Sequence, residues 1–277
     1  MSTLNELKGY NFNFNKKFGQ NFIFDKNLLL SIVNSANLTS DDEILEIGTG
    51  AGTLTEVLAS TTKKVVSYEI DNNLREYLTD KFANFDNVTL HFQDVMSVET
   101  KKIEQEFDKN YHMVANLPYY ITTPIIFKFL EEAEKISSLT IMVQKEVADR
   151  LTAKEGTADY GAITASIGTI ADAKTIKKIS RKMFTPSPNV DSAIVQISIN
   201  RSKFNIADIA TLRKVIKAAF AMRRKTLMNN LKSNFAMSSE EISQLLQKVG
   251  ISATERGENL SPAKFVELAN EIYMSSK

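Results

Sequence analysis

The chain has 277 residues, 43% of them hydrophobic, and its 34 basic and 33 acidic residues leave a net charge of +1. That is the composition of a globular protein able to bury one large core or two smaller ones. No apolar run reaches the roughly 18 residues that span a bilayer. Cysteine is absent and the only histidines are His91 and His112, which excludes disulfides, cysteine-based zinc sites and a thiol nucleophile. The first twenty residues, MSTLNELKGYNFNFNKKFGQ, carry no apolar signal-peptide core. The expectation is a cytoplasmic protein that works without a metal and has no membrane partner.

In chain order, short β-branched runs alternate with helix-like segments, the pattern of a parallel sheet covered by helices on both faces. Strands are predicted at EILEIG (43–48), KVVSYEI (64–70), VTLHFQD (88–94), HMVANL (112–117) and LTIMVQ (139–144), with helices between them at, for example, 53–60 and 73–82. KTIKKIS (174–180) and SAIVQISI (192–199), with P-S-P between them, predict an antiparallel pair closing one edge of the sheet. Beyond Asn200 the pattern turns helical: IADIATLRKVIKAAFAMRR, KTLMNNLKSN, SSEEISQLLQKVG and SPAKFVELANEIYM, the last with Pro262 at the first helical position. Residues 1–200 are therefore expected to form an α/β domain and 201–277 a small all-helical one.

EIGTGAGT (46–53) ends the first strand with Gly48, Gly50 and Gly52. Glycines there let the backbone turn tightly and approach a ligand, while the following helix offers free N–H groups. Glu69 ends the second strand about twenty residues on, where a carboxylate can accept hydrogen bonds from both hydroxyls of a ribose. Asp94 ends the third strand at the same carboxyl edge, where ligands of open α/β sheets bind. Each acid alone is as consistent with a helix cap. Together with the glycines, the acids suggest a nucleoside-containing cofactor, either a dinucleotide or S-adenosylmethionine. Hydride transfer would want a proton relay, and neither histidine is placed for one.

VANLPYY (114–120) follows the fourth strand and carries no acid, base or thiol. An adenine amine is a poor nucleophile because its lone pair is delocalised into the ring. Acceptors on both amine hydrogens favour a pyramidal nitrogen whose lone pair points at a methyl donor. The Asn116 side-chain oxygen and the Leu117 carbonyl are candidates for that pair, with Pro118 fixing the turn that aims them. A neutral amide also avoids a further buried charge beside a sulfonium. Tyr119 would stack on a base presented single-stranded or flipped out; the bland alternative is a proline turn with a packed tyrosine.

Charge is unevenly spread. Arg213, Lys214, Lys217, Arg223, Arg224, Lys225 and Lys232 fall between Ile209 and Ser239 without an acid, and Lys174, Lys177, Lys178, Arg181 and Lys182 form a second basic patch. Such stripes fit a phosphate backbone, although a solvated helix face gives the same pattern. Arg223, Arg224 and Lys225, read as part of a helix, and Lys177 and Lys178 are the candidate RNA contacts.

These motifs resemble those of the ribosomal RNA adenine dimethyltransferases, most closely the bacterial small-subunit class. The likeness runs through KKFGQNF (16–22), EIGTGAGTLT (46–55), YEID (68–71), QDV (93–95), NLPY (116–119), FTPSPNVDSA (184–193) and FAMRRKTLMNNL (220–231). The resemblance implies a Rossmann-like, S-adenosylmethionine-dependent methyltransferase domain with a mostly parallel seven-stranded sheet, followed by an RNA-binding helical domain. It implies dimethylation of two adjacent adenosines in a 3′-terminal hairpin of 16S rRNA within the small subunit or its precursor. It further implies cofactor roles for Gln20, Asn21 and Ile23 in the strap, and for Ile70 and Val95 beside the two acids. Phe184 would pack on the target adenine opposite Tyr119, or else be a core aromatic. Thr49 stands where many small-subunit enzymes have proline. That keeps open the large-subunit, macrolide-resistance type of methyltransferase, and a non-catalytic ribosome assembly factor remains a reading of another class. Nothing requires more than a monomer.

Overall fold

The structure, a computed structural model, describes residues 3–10, 12, 14 and 18–276. Lys16 and Lys17 of the KKFGQNF motif lie outside the described residues. Nine strands are present among them: β1 (Phe22–Ile23), β2 (Glu43–Ile47), β3 (Lys64–Glu69), β4 (Val88–Phe92), β5 (Tyr111–Asn116), β6 (Ile136–Gln144), β7 (Ala171–Ile179), β8 (Phe184–Thr185) and β9 (Ser192–Ile199). Seven form one sheet in the order β4-β3-β2-β5-β6-β9-β7, and β1 pairs with β8 in a separate antiparallel ribbon. The strands from β4 to β6 run parallel, and β9 is antiparallel to β6.

Burial explains why these segments are strands. Every residue of β2 is buried, as expected for a parallel strand covered on both faces, although two of the five are glutamates. Each acid has partners: Glu43 accepts from Lys63 Nζ at 3.2 Å and the Asp108 amide at 2.9 Å, and Glu46 accepts two hydroxyls described below. The register sets Ile47 beside Tyr68 and Tyr68 beside His91. The residues that follow β2, β3, β4 and β5 therefore emerge along one edge of the sheet.

Contacts divide the chain into two compact units, Met1–Ala148 with Lys174–Ser198 and Asp149–Ala173 with Ile199–Lys277. In the first, Ile32 and Leu58 of helices Lys26–Ser35 and Thr53–Thr61 join Ile44, Val65 and Val114 of the sheet in one cluster. A second cluster gathers Leu7, Phe22, Ala51, Leu74, Leu78 and Phe82, with Phe12, Phe14 and Phe24 against it. Phe22 is buried, which contributes roughly 1.5–3 kcal/mol and fastens the N-terminal segment to the body of the unit.

The second unit is helical and has a core that includes Leu212, Ile216, Leu231, Leu246, Phe265 and Leu268. Its boundary differs from the one expected at residue 200, because residues 149–173 also belong to it. The reason is helix Ala162–Ile170, whose buried face packs on helices Ile209–Ala219 and Pro262–Ser275. Helix starts are capped by Thr226, by Ser238 in a capping box with Glu241, and by Ser261 ahead of Pro262.

The helix expected to run through Arg224 ends at Ala219. Asn230, wholly buried, donates through Nδ2 to the carbonyls of Ala219 at 2.9 Å and Met222 at 3.2 Å. These bonds satisfy carbonyls at a helix end and hold residues 220–225 in a non-helical connection. Gly257 lies against the same end: a Cβ there would stand 2.8 Å from the Ala219 carbonyl oxygen. Backbone cannot yield as a side chain does, so Gly257→Ala should cost the helical unit about 1–3 kcal/mol. A lower midpoint for that unit in urea unfolding is the expected outcome; an unchanged midpoint would contradict this packing.

No helix among the described residues is long and apolar enough to cross a membrane.

Candidate active site

The turn after β2 is shaped by glycine. Gly50 has φ +55°, and its N–H donates to Glu69 Oε2 at 2.8 Å. Gly52 has φ +70° and precedes helix Thr53–Thr61, with a Cβ position only 2.7 Å from the Phe82 ring. An L side chain at Gly52 would be strained by both backbone and space. The second Glu69 oxygen accepts the Asp71 amide at 2.8 Å. Each carboxylate oxygen can accept a further bond, so Glu69 is held in place while still able to receive hydroxyls. Burial raises its pKa above the ordinary carboxylate value, with the amide bonds of Asp71 and Gly50 pulling the other way. Asp94 accepts the Met96 amide at 2.9 Å, capping the turn Val95–Ser97. It caps this turn and lines the cleft at once.

The N-terminal strap is tied down across this edge. Gln20 Nε2 donates to Asp71 Oδ2 at 2.7 Å, Asn21 Nδ2 to the Gly19 carbonyl at 2.8 Å, and Thr53 Oγ1 to the Ile23 carbonyl at 2.7 Å. Strap and sheet edge enclose an open cleft. Gln20, Asn21, Ile23, Gly48 and Gly50 line it. So do Glu69, Ile70, Asp94, Val95 and Asn116, and after them Leu117, Pro118 and Tyr119.

At the centre of the cleft Asn116 Nδ2 donates to the Asn21 carbonyl at 3.0 Å. Because that partner can only accept, the bond fixes which end of the amide is nitrogen. Among the described residues no donor reaches Asn116 Oδ1, which is left as an acceptor. The Leu117 amide is anchored to the Met142 carbonyl at 3.2 Å, and the Pro118 carbonyl accepts from Ile121 N at 3.2 Å and Thr122 Oγ1 at 2.9 Å. The Tyr119 hydroxyl shares a 2.6 Å bond with Ser192 Oγ, and burial raises its pKa. Phe184 does not line the cleft. Its residue pairs with Ile23 in the β1–β8 ribbon and is 3% exposed within the core. Its surroundings here are those of a core aromatic.

Residues 11–273 match the family described as ribosomal RNA adenine dimethylase. The chain belongs to this family. It is 43% identical over 274 residues to ribosomal RNA small subunit methyltransferase A of Geobacillus thermodenitrificans, covering 96% of this chain and 93% of that one. The Bacillus mycoides protein of the same name is 42% identical, with 97% and 94% covered. Among solved structures, a dimethyladenosine transferase from Plasmodium falciparum superposes with TM-score 0.79 at 24% identity, over 92% of this chain and 98% of that one. The 23S rRNA methyltransferase ErmE gives 0.69 at 24%, over 91% and 100%. Both support the α/β methyltransferase fold with its mostly parallel sheet.

None of the candidate RNA contacts is among the residues that line the cleft. Lys177 and Lys178 are exposed on β7, with Lys177 Nζ 3.4 Å from Ser31 Oγ. Arg223, Arg224 and Lys225 are exposed in the 220–225 connection of the helical unit, where Arg223 donates to the Ala158 carbonyl at 2.8 Å. Tyr120, Phe18 and Gln93, to which the motifs alone assign no ligand role, also line the cleft. The second tyrosine of NLPYY was the visible signal for Tyr120.

Beneath the glycine turn, Glu46 accepts from Thr55 Oγ1 at 2.6 Å and Ser67 Oγ at 2.7 Å, and Ser67 shares a 2.7 Å bond with Thr49 Oγ1. Burial pushes the Glu46 carboxyl from 4.5 up to about 8. The folded state keeps this proton where the unfolded chain releases it. Its contribution is therefore full below 4.5 and is lost as pH rises through about 8, at roughly 1 kcal/mol per pH unit. Glu46→Gln should remove that loss, so its melting temperature should rise relative to the wild type between pH 5 and 8. A gap independent of pH would contradict the assignment.

Proposed function

We propose that this protein transfers methyl groups from S-adenosylmethionine to the N6 amines of two adjacent adenosines in a 3′-terminal hairpin of 16S rRNA, serving small-subunit maturation. It would act as a monomer in the cytoplasm, a compartment that suits a chain without cysteine. The observation that carries the reading is the Asn116 amide. Its nitrogen is tied to the Asn21 carbonyl, and its oxygen is left to accept beside the Glu69 and Gly50 cradle, in a member of an rRNA adenine dimethylase family. The choice of the small subunit rests on relatives named for it at 42–43% identity.

The donor-and-acceptor chemistry of the cleft fits the cofactor. Glu69, fixed by two amides yet with lone pairs to spare, suits a ribose diol. Gly48 and Gly50 let backbone approach the ligand, and Asp94 with Ile70 and Val95 borders the base. Gln20, Asn21 and Ile23 cover it from the strap. Bound there, S-adenosylmethionine supplies an electrophilic methyl group on a sulfonium. Asn116 Oδ1 and the Leu117 carbonyl accept the two amine hydrogens of adenine and turn its lone pair toward that methyl. Pro118 holds the turn, and Tyr119, braced by Ser192, offers its ring to the base. No strong base is needed, since the methylated nitrogen becomes acidic and releases its proton. Orientation and fixed dipoles supply most of the rate. Arg223, Arg224 and Lys225, with Lys177 and Lys178, counter RNA phosphates, an attraction that weakens steeply with salt.

Asn116→Ala separates these roles. Transfer to RNA is expected to fall about 100-fold or more, while equilibrium binding of S-adenosylmethionine falls far less. Undiminished transfer would remove Asn116 from the chemistry, and equal losses in both would make it a cofactor ligand alone.

A further inference from the structure

Tyr119 and Tyr120 are consecutive, yet they serve opposite halves of the sheet edge. The Tyr119 hydroxyl meets Ser192, the first residue of β9, on the β6 side of β5. Tyr120 faces the other half, where β2, β3 and β4 end. Its Cδ1 lies 3.6 Å from the Cβ position of Gly19 in the strap. Burial, then the negative charges of Asp94 and Glu69, raise its pKa, which places its hydroxyl in the field of both acids. The residue stays 53% exposed while lining the cleft, and among the described residues nothing hydrogen-bonds it. A large ring left without a bond at the mouth of a cleft is free to close on a ligand.

We propose that Tyr120 is a cofactor-side residue: its ring closes over the nucleoside half of the bound cofactor against Gly19 and sets the rate at which cofactor and spent product exchange. This rests on the function proposed above. Dimethylation of one amine consumes two cofactor molecules, so S-adenosylhomocysteine must leave and S-adenosylmethionine enter between transfers. The strap is held by the Gln20–Asp71 and Asn116–Asn21 bonds. Rotation of one exposed ring opens the mouth without breaking either, and Tyr119 can keep its hold on Ser192 meanwhile.

The test uses the full chain and the two ligands themselves. Affinity is read by calorimetry and release of S-adenosylhomocysteine by stopped-flow displacement. Tyr120→Ala should weaken both ligands about tenfold, chiefly through faster release, because a stacked aromatic face is lost. Tyr120→Phe should match the wild type. Tyr120→Leu, which keeps apolar bulk, should weaken binding about threefold and serves if the alanine variant does not fold. Unchanged affinity and release in the alanine or leucine variant, with a raised KM for RNA, would overturn the proposal and assign the ring to the acceptor base. Absence of saturable binding by the wild type would instead bring down the proposed function, and this inference with it.

Discussion

The Asn21 carbonyl accepts a hydrogen bond from Asn116 Nδ2 at 3.0 Å, and the cleft depends on this contact between residues far apart in sequence. It joins the strap to the end of β5, giving the cleft a roof. It also decides the chemistry of the amide, because a side chain that spends its nitrogen on a carbonyl presents its oxygen to whatever enters. The adjoining turn is locked independently by the Leu117 amide on Met142 and the Pro118 carbonyl under Thr122. Under the proposed function, acceptors held this way need little reorganisation when an amine arrives.

The electrostatics follow the same division. The edge formed by the ends of β3 and β4 gathers carboxylates, with Glu69 held by amides and Asp94 capping its own turn. Glu46 lies beneath them, kept protonated by burial. A neutral acid supports the glycine turn without adding a third negative charge to that side. The edge after β5 presents an amide, carbonyls and aromatic rings instead, which under the proposed function suit a neutral base. The basic residues proposed to meet RNA, Lys177, Lys178, Arg223, Arg224 and Lys225, are all exposed.

Much of this was readable from the sequence because the signals are local. Strands β2, β3 and β5 announce themselves as short runs rich in β-branched and apolar residues, and parallel order then brings Gly48, Gly50, Glu69, Asp94 and Asn116 to one edge by topology alone. The features that escaped depend on distant partners. Asn230 ends a helix whose own periodicity continues to Arg224, so the basic trio sits in a loop. Segment 149–173 joins the helical unit because its apolar face fits helices that come later in the chain. Phe184 pairs with Ile23 in a two-residue ribbon with the strap, a contact that no short window of sequence contains. The brace between Tyr119 and Ser192 spans 73 residues and leaves no mark on either motif.

The most direct test of the account is methyl transfer from labelled S-adenosylmethionine to undermethylated small ribosomal subunits, with the product resolved by nucleoside analysis and its position mapped. The account predicts N6,N6-dimethyladenosine at two adjacent positions near the 3′ end of 16S rRNA. Label that appears only in the large subunit, or in neither, would contradict it.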